Sequence, residues 1–317
     1  KPAPLGTGDL AGSYPMHYRD KRTGRPVSLL DYPYMSMLPG QQHTYNPATG
    51  KNEAFPPCAG ANACTTPNTE DRSHQPSLAY LPYLLTGDYY YLEELQFWAM
   101  YNVFWSNPPY REYAKGLVKT DQLRGSAWAL RTLANAAWIT PDDDPLKSHF
   151  LKLVDNNLEW YNANYTFNAQ ANKLGAIVDG AMAYDNGIGL APWQDDFFTS
   201  AIGHIADLGF EKARPLLAWK ARFPVERMVG AGTCWIEGAM YSMRVRDSAS
   251  MPLYDTIEQV YRANHTPEFL ALPCAGPDMA AALKLKPGEM SGTSNSAMGM
   301  PSHMPPALAY AAGAAGD

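Results

Sequence analysis

Two apolar runs of helical period meet across Leu85-Thr86-Gly87-Asp88, and this junction constrains the fold more than any other feature of the chain. Pro76 suits a first helical position, and Leu78, Tyr80, Leu81, Leu84 and Leu85 recur at helical spacing. Gly87 supplies a C-cap, and Asp88 follows as a new helix start. The local prediction is helix, tight turn, helix. The second run, Tyr91, Leu92, Leu95, Phe97, Trp98, Tyr101 and Phe104, stops at Asn107-Pro108-Pro109. Periodicity predicts further helices over 121–138 and 145–161, one carrying Phe197, Phe198, Ala201, Ile205 and Leu208, and others over 211–222, 250–263 and 276–284. Alternating β-branched runs are scarce, and no fixed-period repeat supports a tetratricopeptide or ankyrin solenoid. The chain therefore reads as a mainly α array of helical hairpins over 71–285. An irregular N-terminal segment with a short hairpin precedes it over 1–70, including a charged turn closed by Thr23-Gly24. Over 286–317 a loop leads into a last short helix at Ala307–Ala315.

With 317 residues, 46% of them hydrophobic and 18% charged, the chain buries a substantial core. A net charge of −6 without a basic run excludes a nucleic-acid footprint, and no apolar stretch approaches the ~20 residues of a membrane span, so no membrane anchor is expected. The sequence opens on Lys1 without a signal-like segment, as a mature product or a fragment of a longer protein would. Of four cysteines, Cys58 and Cys64 bracket a short loop, whereas Cys234 and Cys274 lie far away. An even count with one tight pair fits two disulfides and a secreted or periplasmic location; four buried thiols are the alternative. A nucleophile elbow, a P-loop, a dinucleotide fingerprint and a zinc helix are all missing. Asp142, Asp143 and Asp144 read as a helix N-terminus in preference to a calcium site, so neither metal nor cofactor is expected.

The segment His74-Gln75-Pro76-Ser77-Leu78-Ala79-Tyr80-Leu81-Pro82-Tyr83-Leu84-Leu85-Thr86-Gly87-Asp88, with Tyr90-Tyr91-Leu92, resembles a hairpin of the six-hairpin, (α/α)-toroid carbohydrate-active enzymes. The resemblance extends more loosely through Asp121-Gln122-Leu123-Arg124-Gly125-Ser126-Ala127-Trp128-Ala129-Leu130-Arg131 and Pro192-Trp193-Gln194-Asp195-Asp196-Phe197, and covers residues 70–285. It implies a toroid-like fold and a polysaccharide or oligosaccharide substrate, attacked by a glycoside hydrolase or a polysaccharide lyase. A closed toroid needs about a dozen helices and the periodicity yields seven or eight, so an open or truncated version is implied. Such motifs identify an architecture better than a reaction.

Twenty Tyr and eight Trp suit sugar binding, since aromatic faces stack on pyranose rings. Trp98, Trp128, Trp193 and Trp235 are platform candidates, and each also fits a core position. Arg124, Trp128 and Arg131 fall on one helix face and would bind a carboxylate-bearing sugar in a cleft or form a solvated face outside it. Hydrolysis needs two carboxyl groups. Asp196, beside Asp195 at a helix start, and Glu237, in an apolar Cys234-Trp235-Ile236-Glu237-Gly238 setting, are the candidates, and this reading is slightly preferred. A lyase instead needs a His or Tyr base, a Tyr acid and groups that neutralise a uronate. His74, Gln75, Arg124, Tyr184 and Tyr241 fit those roles, with Gln194 next to Trp193 as a further substrate contact. A third reading is a non-catalytic carbohydrate-binding or assembly subunit of a surface or virion structure.

Overall fold

A computed structural model describes residues 3–14, 17–37, 43–54, 73–74, 76–118, 122–286, 288–291 and 302–314. Among these the chain is mainly α, with eleven α-helices and two small antiparallel sheets. Its contacts divide it into two units, Lys1–Thr120 with Gly125–Trp160, and Asp121–Arg124 with Tyr161–Asp317. No helix among the described residues is long and apolar enough to cross a membrane.

In the first unit, α1 (Ala3–Asp9) packs on α2 (Tyr80–Thr86), with Gly8 pressed under the Pro82 ring. Gly87 ends α2 with a left-handed backbone, φ 66°, and its N–H donates to Tyr83 O at 2.7 Å. A side chain would disfavour that conformation, which is why glycine serves there. Asp88 then caps α3 (Tyr89–Phe104) by accepting from Tyr90 N at 2.9 Å. The expected helix, turn and helix are therefore present. Along α3, Leu92, Leu95, Phe97, Trp98, Tyr101 and Phe104 are all buried, and Trp98 and Tyr101 are covered by Tyr14, Met37, Leu78 and Trp105.

α4 (Leu123–Ile139) starts on residues of the second unit and continues in the first, where α5 (Lys147–Tyr161) follows it. Their apolar stripes, Ala127, Leu130, Leu133 and Ala137 on α4 and Phe150, Leu153, Val154 and Leu158 on α5, are buried. Polar ties fix the connections. Gln96 of α3 donates to Asp144 Oδ2 at 3.0 Å, while Asp144 Oδ1 accepts from Leu146 N at 2.8 Å. Asn157 of α5 accepts from Val118 N at 2.7 Å and donates to Gly116 O at 3.0 Å.

The N-terminal segment contains a short hairpin, β1 (Tyr45–Asn46) with β2 (Lys51–Asn52), which no sequence motif located, and a charged turn bridged at Arg19 and Pro26. Arg111, wholly buried, gathers this region by donating to Ser106 O at 2.9 Å, Pro33 O at 3.1 Å and Met35 O. Burial brings its pKa down to about 9. Cys58 and Cys64 lie outside the described residues.

In the second unit, α6 (Pro192–Asp207) packs on α7 (Ala213–Val229), which runs past the predicted end at 222 and through Pro224. Two adjacent carboxylates of α6 meet two cations of α7 in the interior: Asp195 pairs with Lys220, and Asp196 with Arg227. None of these four side chains is more than 1% exposed. Further hydrogen bonds support both pairs, as buried charges require, although Asp196 Oδ2 has no hydrogen-bond partner among the described residues. Asp195 accepts from Ile177 N at 3.0 Å, Lys220 donates to Gly175 O at 2.8 Å and Arg227 donates to Gly238 O at 2.8 Å.

β3 (Gly189–Leu190) pairs antiparallel with β4 (Met243–Arg244). α8 (Ile257–Ala263) opens on a capping box of Thr256 and Gln259, followed by α9 (Pro267–Leu270) and α10 (Pro277–Ala282). Cys234 and Cys274 form a disulfide, of which Cys234 is buried in an apolar cluster with Ile236, Tyr261 and Met279. The terminal helix α11 (Met304–Ala314) lies on both α6 and α7, with the Tyr310 ring seated directly on Gly203.

Candidate active site

The short loop from Tyr184 to Ile188 is built on left-handed backbone at Asp185, φ 50°, and Asn186, φ 57°. It returns through a bridge from Tyr184 to Gly189 into β3, whose partner β4 follows closely on Tyr241. The loop therefore brings Tyr184 and Tyr241 together although 57 residues separate them (241 − 184). Their rings meet edge-on with centroids 5.8 Å apart. Burial, then its polar neighbour Tyr241, pushes the Tyr184 phenol pKa up, so that it holds its proton at neutral pH.

Gln194 and Trp193 come from the first turn of α6, which Pro192 starts. The Gln194 amide oxygen accepts from Arg124 N at 3.2 Å, and the Arg124 guanidinium lies over the Trp193 ring at 5.5 Å. Gln122 steadies that guanidinium by accepting from Arg124 Nε at 2.7 Å. Arg124 makes no ion pair among the described residues. His303 lies 5.8 Å from Trp193 and 5.6 Å from Phe197, ring centre to ring centre. Burial lowers the His303 pKa, so the imidazole is neutral at pH 7. Tyr241, 45% exposed, opens this group of side chains to solvent.

The remaining expected residues are placed differently. Trp98 is a core side chain, edge-on to Tyr14 at 5.2 Å. Trp128 is half-buried beneath the Arg131 guanidinium, 4.4 Å away, so the predicted face of two arginines and an indole is divided: Arg131 covers Trp128 while Arg124 covers Trp193. Trp235 is 38% exposed. His74 is exposed in the first unit, and Gln75 lies outside the described residues.

Asp196 has no exposed surface, and burial, reinforced by Asp195 and opposed by Arg227, pushes its pKa up to about 6. Glu237 is 4% exposed and stands 2.7 Å from His265 Nε2, with that imidazole stacked on Phe269 at 4.4 Å. The cavity at Glu237, shared with Arg227, Cys234 and Tyr261, has a volume of about 10 Å³. That is room for no more than a water molecule, so a sugar ring cannot reach this carboxylate here. A cavity of about 680 Å³ in the first unit is lined by Asp20, Arg22, Tyr32 and Lys51. Its acidic walls are already engaged: Asp20 accepts from Tyr32 at 2.6 Å and Glu53 from Tyr34 N at 2.7 Å. Size alone does not make it the site of chemistry.

No group of three or more His, Cys, Asp or Glu among the described residues is arranged to hold a metal ion. Sequence reasoning did not single out His303, which lies in a Gly-, Ser-, Met- and Pro-rich stretch without a motif; its proximity to Trp193 arises only from the folding of α11 onto α6. The chain matches no protein-family model, no curated protein and no solved structure in the three comparisons made.

Proposed function

We propose that this chain is a polysaccharide lyase that cleaves a uronate-containing glycan by β-elimination. The observation that carries the reading is the gathering of Arg124, Gln194, Tyr184, Tyr241 and His303 around Trp193, all from one unit. Arg124 pairs with the substrate carboxylate and Gln194 hydrogen-bonds it, which stabilises the negative charge that develops when the neighbouring C5–H is broken. Neutral His303 accepts that proton. The electron pair forms the C4–C5 double bond as the C4–O bond breaks, and Tyr184 donates its proton to the departing oxygen. Tyr241 orients the Tyr184 hydroxyl, and Trp193 offers apolar surface to the sugar ring.

Hydrolysis by Asp196 and Glu237 is the less favoured route. It needs two carboxyl groups facing the scissile bond, and these two are occupied by Arg227 and His265 in the interior. The glycan class and a toroid-like arrangement of hairpins rest on the resemblance of the Leu-Thr-Gly-Asp segment. Export to an oxidising compartment is supported by the Cys234–Cys274 disulfide.

Arg124→Ala tests the substrate class. On alginate, polygalacturonate and hyaluronan the variant loses activity or binding, whereas any binding of xylan or mannan is unchanged. An equal effect on acidic and neutral glycans would remove Arg124, and with it the uronate, from the proposal.

A further inference from the structure

We propose that a groove in the second unit, between the π-helical turn Asn162–Thr166 and residues 246–255, holds a neutral, hydroxyl-rich stretch of the polysaccharide away from the reacting bond; this rests on the glycan reading above. The groove has a volume of about 490 Å³, within the range of small-ligand sites. Asn164, Asn168, Gln170 and Asn172 line it, and an amide offers both a donor and acceptors to neighbouring hydroxyls. Local hydrogen bonds set this wall in advance: Asn168 accepts from Gln170 N at 2.9 Å, and Asn172 donates to Ala176 O at 2.7 Å.

Beneath lies Tyr165, buried, whose hydroxyl accepts from Val178 N and Asp179 N at 3.2 and 3.1 Å and donates to the Asp179 carboxylate. The turn is π-helical, a form that is rare and concentrated at functional sites. Lys173 and Asp255 neutralise each other across the groove at 2.8 Å, which favours a neutral sugar over a uronate. Arg246 in the groove wall donates to Gly187 O at 2.8 Å, in the loop that begins at Tyr184, so the groove and the reacting residues share one structural frame.

The test is hydrogen–deuterium exchange on the full chain carrying Tyr184→Phe, with alginate and polygalacturonate oligomers and with cellohexaose, mannohexaose and xylohexaose as probes. At least one of the neutral hexaoses should slow exchange in 162–173 and 246–255, and Gln170→Ala should weaken that binding about fivefold while leaving the circular dichroism spectrum unchanged; protection there by the alginate or polygalacturonate oligomers alone overturns the assignment to a neutral sugar. Asn164→Ala, an exposed change in the same wall, provides a second variant should Gln170→Ala fold poorly. Protection around 184–194 with none in 162–173 overturns the groove and leaves elimination standing. Protection in the groove while Tyr184→Phe turns over at the wild-type rate keeps the groove and removes the elimination mechanism. Silence from every probe overturns the groove.

Discussion

The rings of Tyr184 and Tyr241 stand at 87° to one another, centroids 5.8 Å apart. Tyr184 is the half-buried member and Tyr241 the more exposed one. A phenol that keeps its proton beside one that solvent can reach suits proton delivery to a leaving group.

Tyr184→Phe removes the hydroxyl and keeps the ring contact. The variant should fold normally and lose kcat by about 10²–10⁴-fold with KM nearly unchanged, as expected when a proton donor acting in the transition state is deleted. Steady-state kinetics on the best acidic glycan decide it, and an undiminished kcat removes Tyr184 from the chemistry.

Asp196 and Arg227 make a stability prediction instead. Arg227→Met leaves a buried carboxyl without its cation and should cost about 3–5 kcal/mol in denaturant unfolding, because the uncompensated charge remains. A loss below about 1 kcal/mol would place the pair in a solvated environment instead.

The same carboxyl gives a pH dependence. Its pKa is about 6 in the fold against 3.8 in an unfolded chain, so between these values the folded chain binds the extra proton. The contribution of Asp196 to stability is thus complete below pH 3.8 and is lost as pH rises through about 6. The difference in unfolding free energy between wild type and Asp196→Asn should fall across that window, and a flat difference contradicts it.

Gly203→Ala would drive a methyl group into the Tyr310 ring and lift α11 from α6. Destabilisation of about 1–3 kcal/mol is expected from such overpacking. Tyr310→Ala should remove most of the clash in the double variant, and strictly additive losses would show that the two positions do not touch.

The Cys234–Cys274 bond closes a 40-residue separation, and its reduction should destabilise the second unit by about 4 kcal/mol through the released chain entropy. Exchange should quicken first around Ile236, Tyr261 and Met279, which pack with the bond. Unchanged exchange there on full reduction contradicts a clamping role.

Local signals were the legible ones. The Gly87 cap and the Asp88 start announce α2 and α3 because both act within a few residues, and the apolar stripes of α4 and α5 announce themselves by period. α1 did not, since its Ala3–Asp9 stretch contains Pro4, Gly6 and Gly8 and packs on α2. The roles of Asp195 and Asp196 were likewise hidden: a helix start attracts acidic residues on its own account, whereas Lys220 and Arg227 lie a whole helix further along. Arg124, Tyr184, Trp193, Gln194 and Tyr241 were recognisable one by one by residue type, but their assembly depends on a left-handed turn at Asp185 and Asn186 and on the pairing of β3 with β4. His303 carried no signal at all.

Elimination leaves one conjugated double bond for every glycosidic bond cleaved, and hydrolysis leaves none. Incubation with the glycan panel, following absorbance at ~235 nm together with reducing ends, therefore tests the central claim most directly. The account predicts the two signals rising in a one-to-one ratio on an acidic glycan, both abolished in Arg124→Ala. Reducing ends without absorbance would contradict it, as would silence on every acidic glycan.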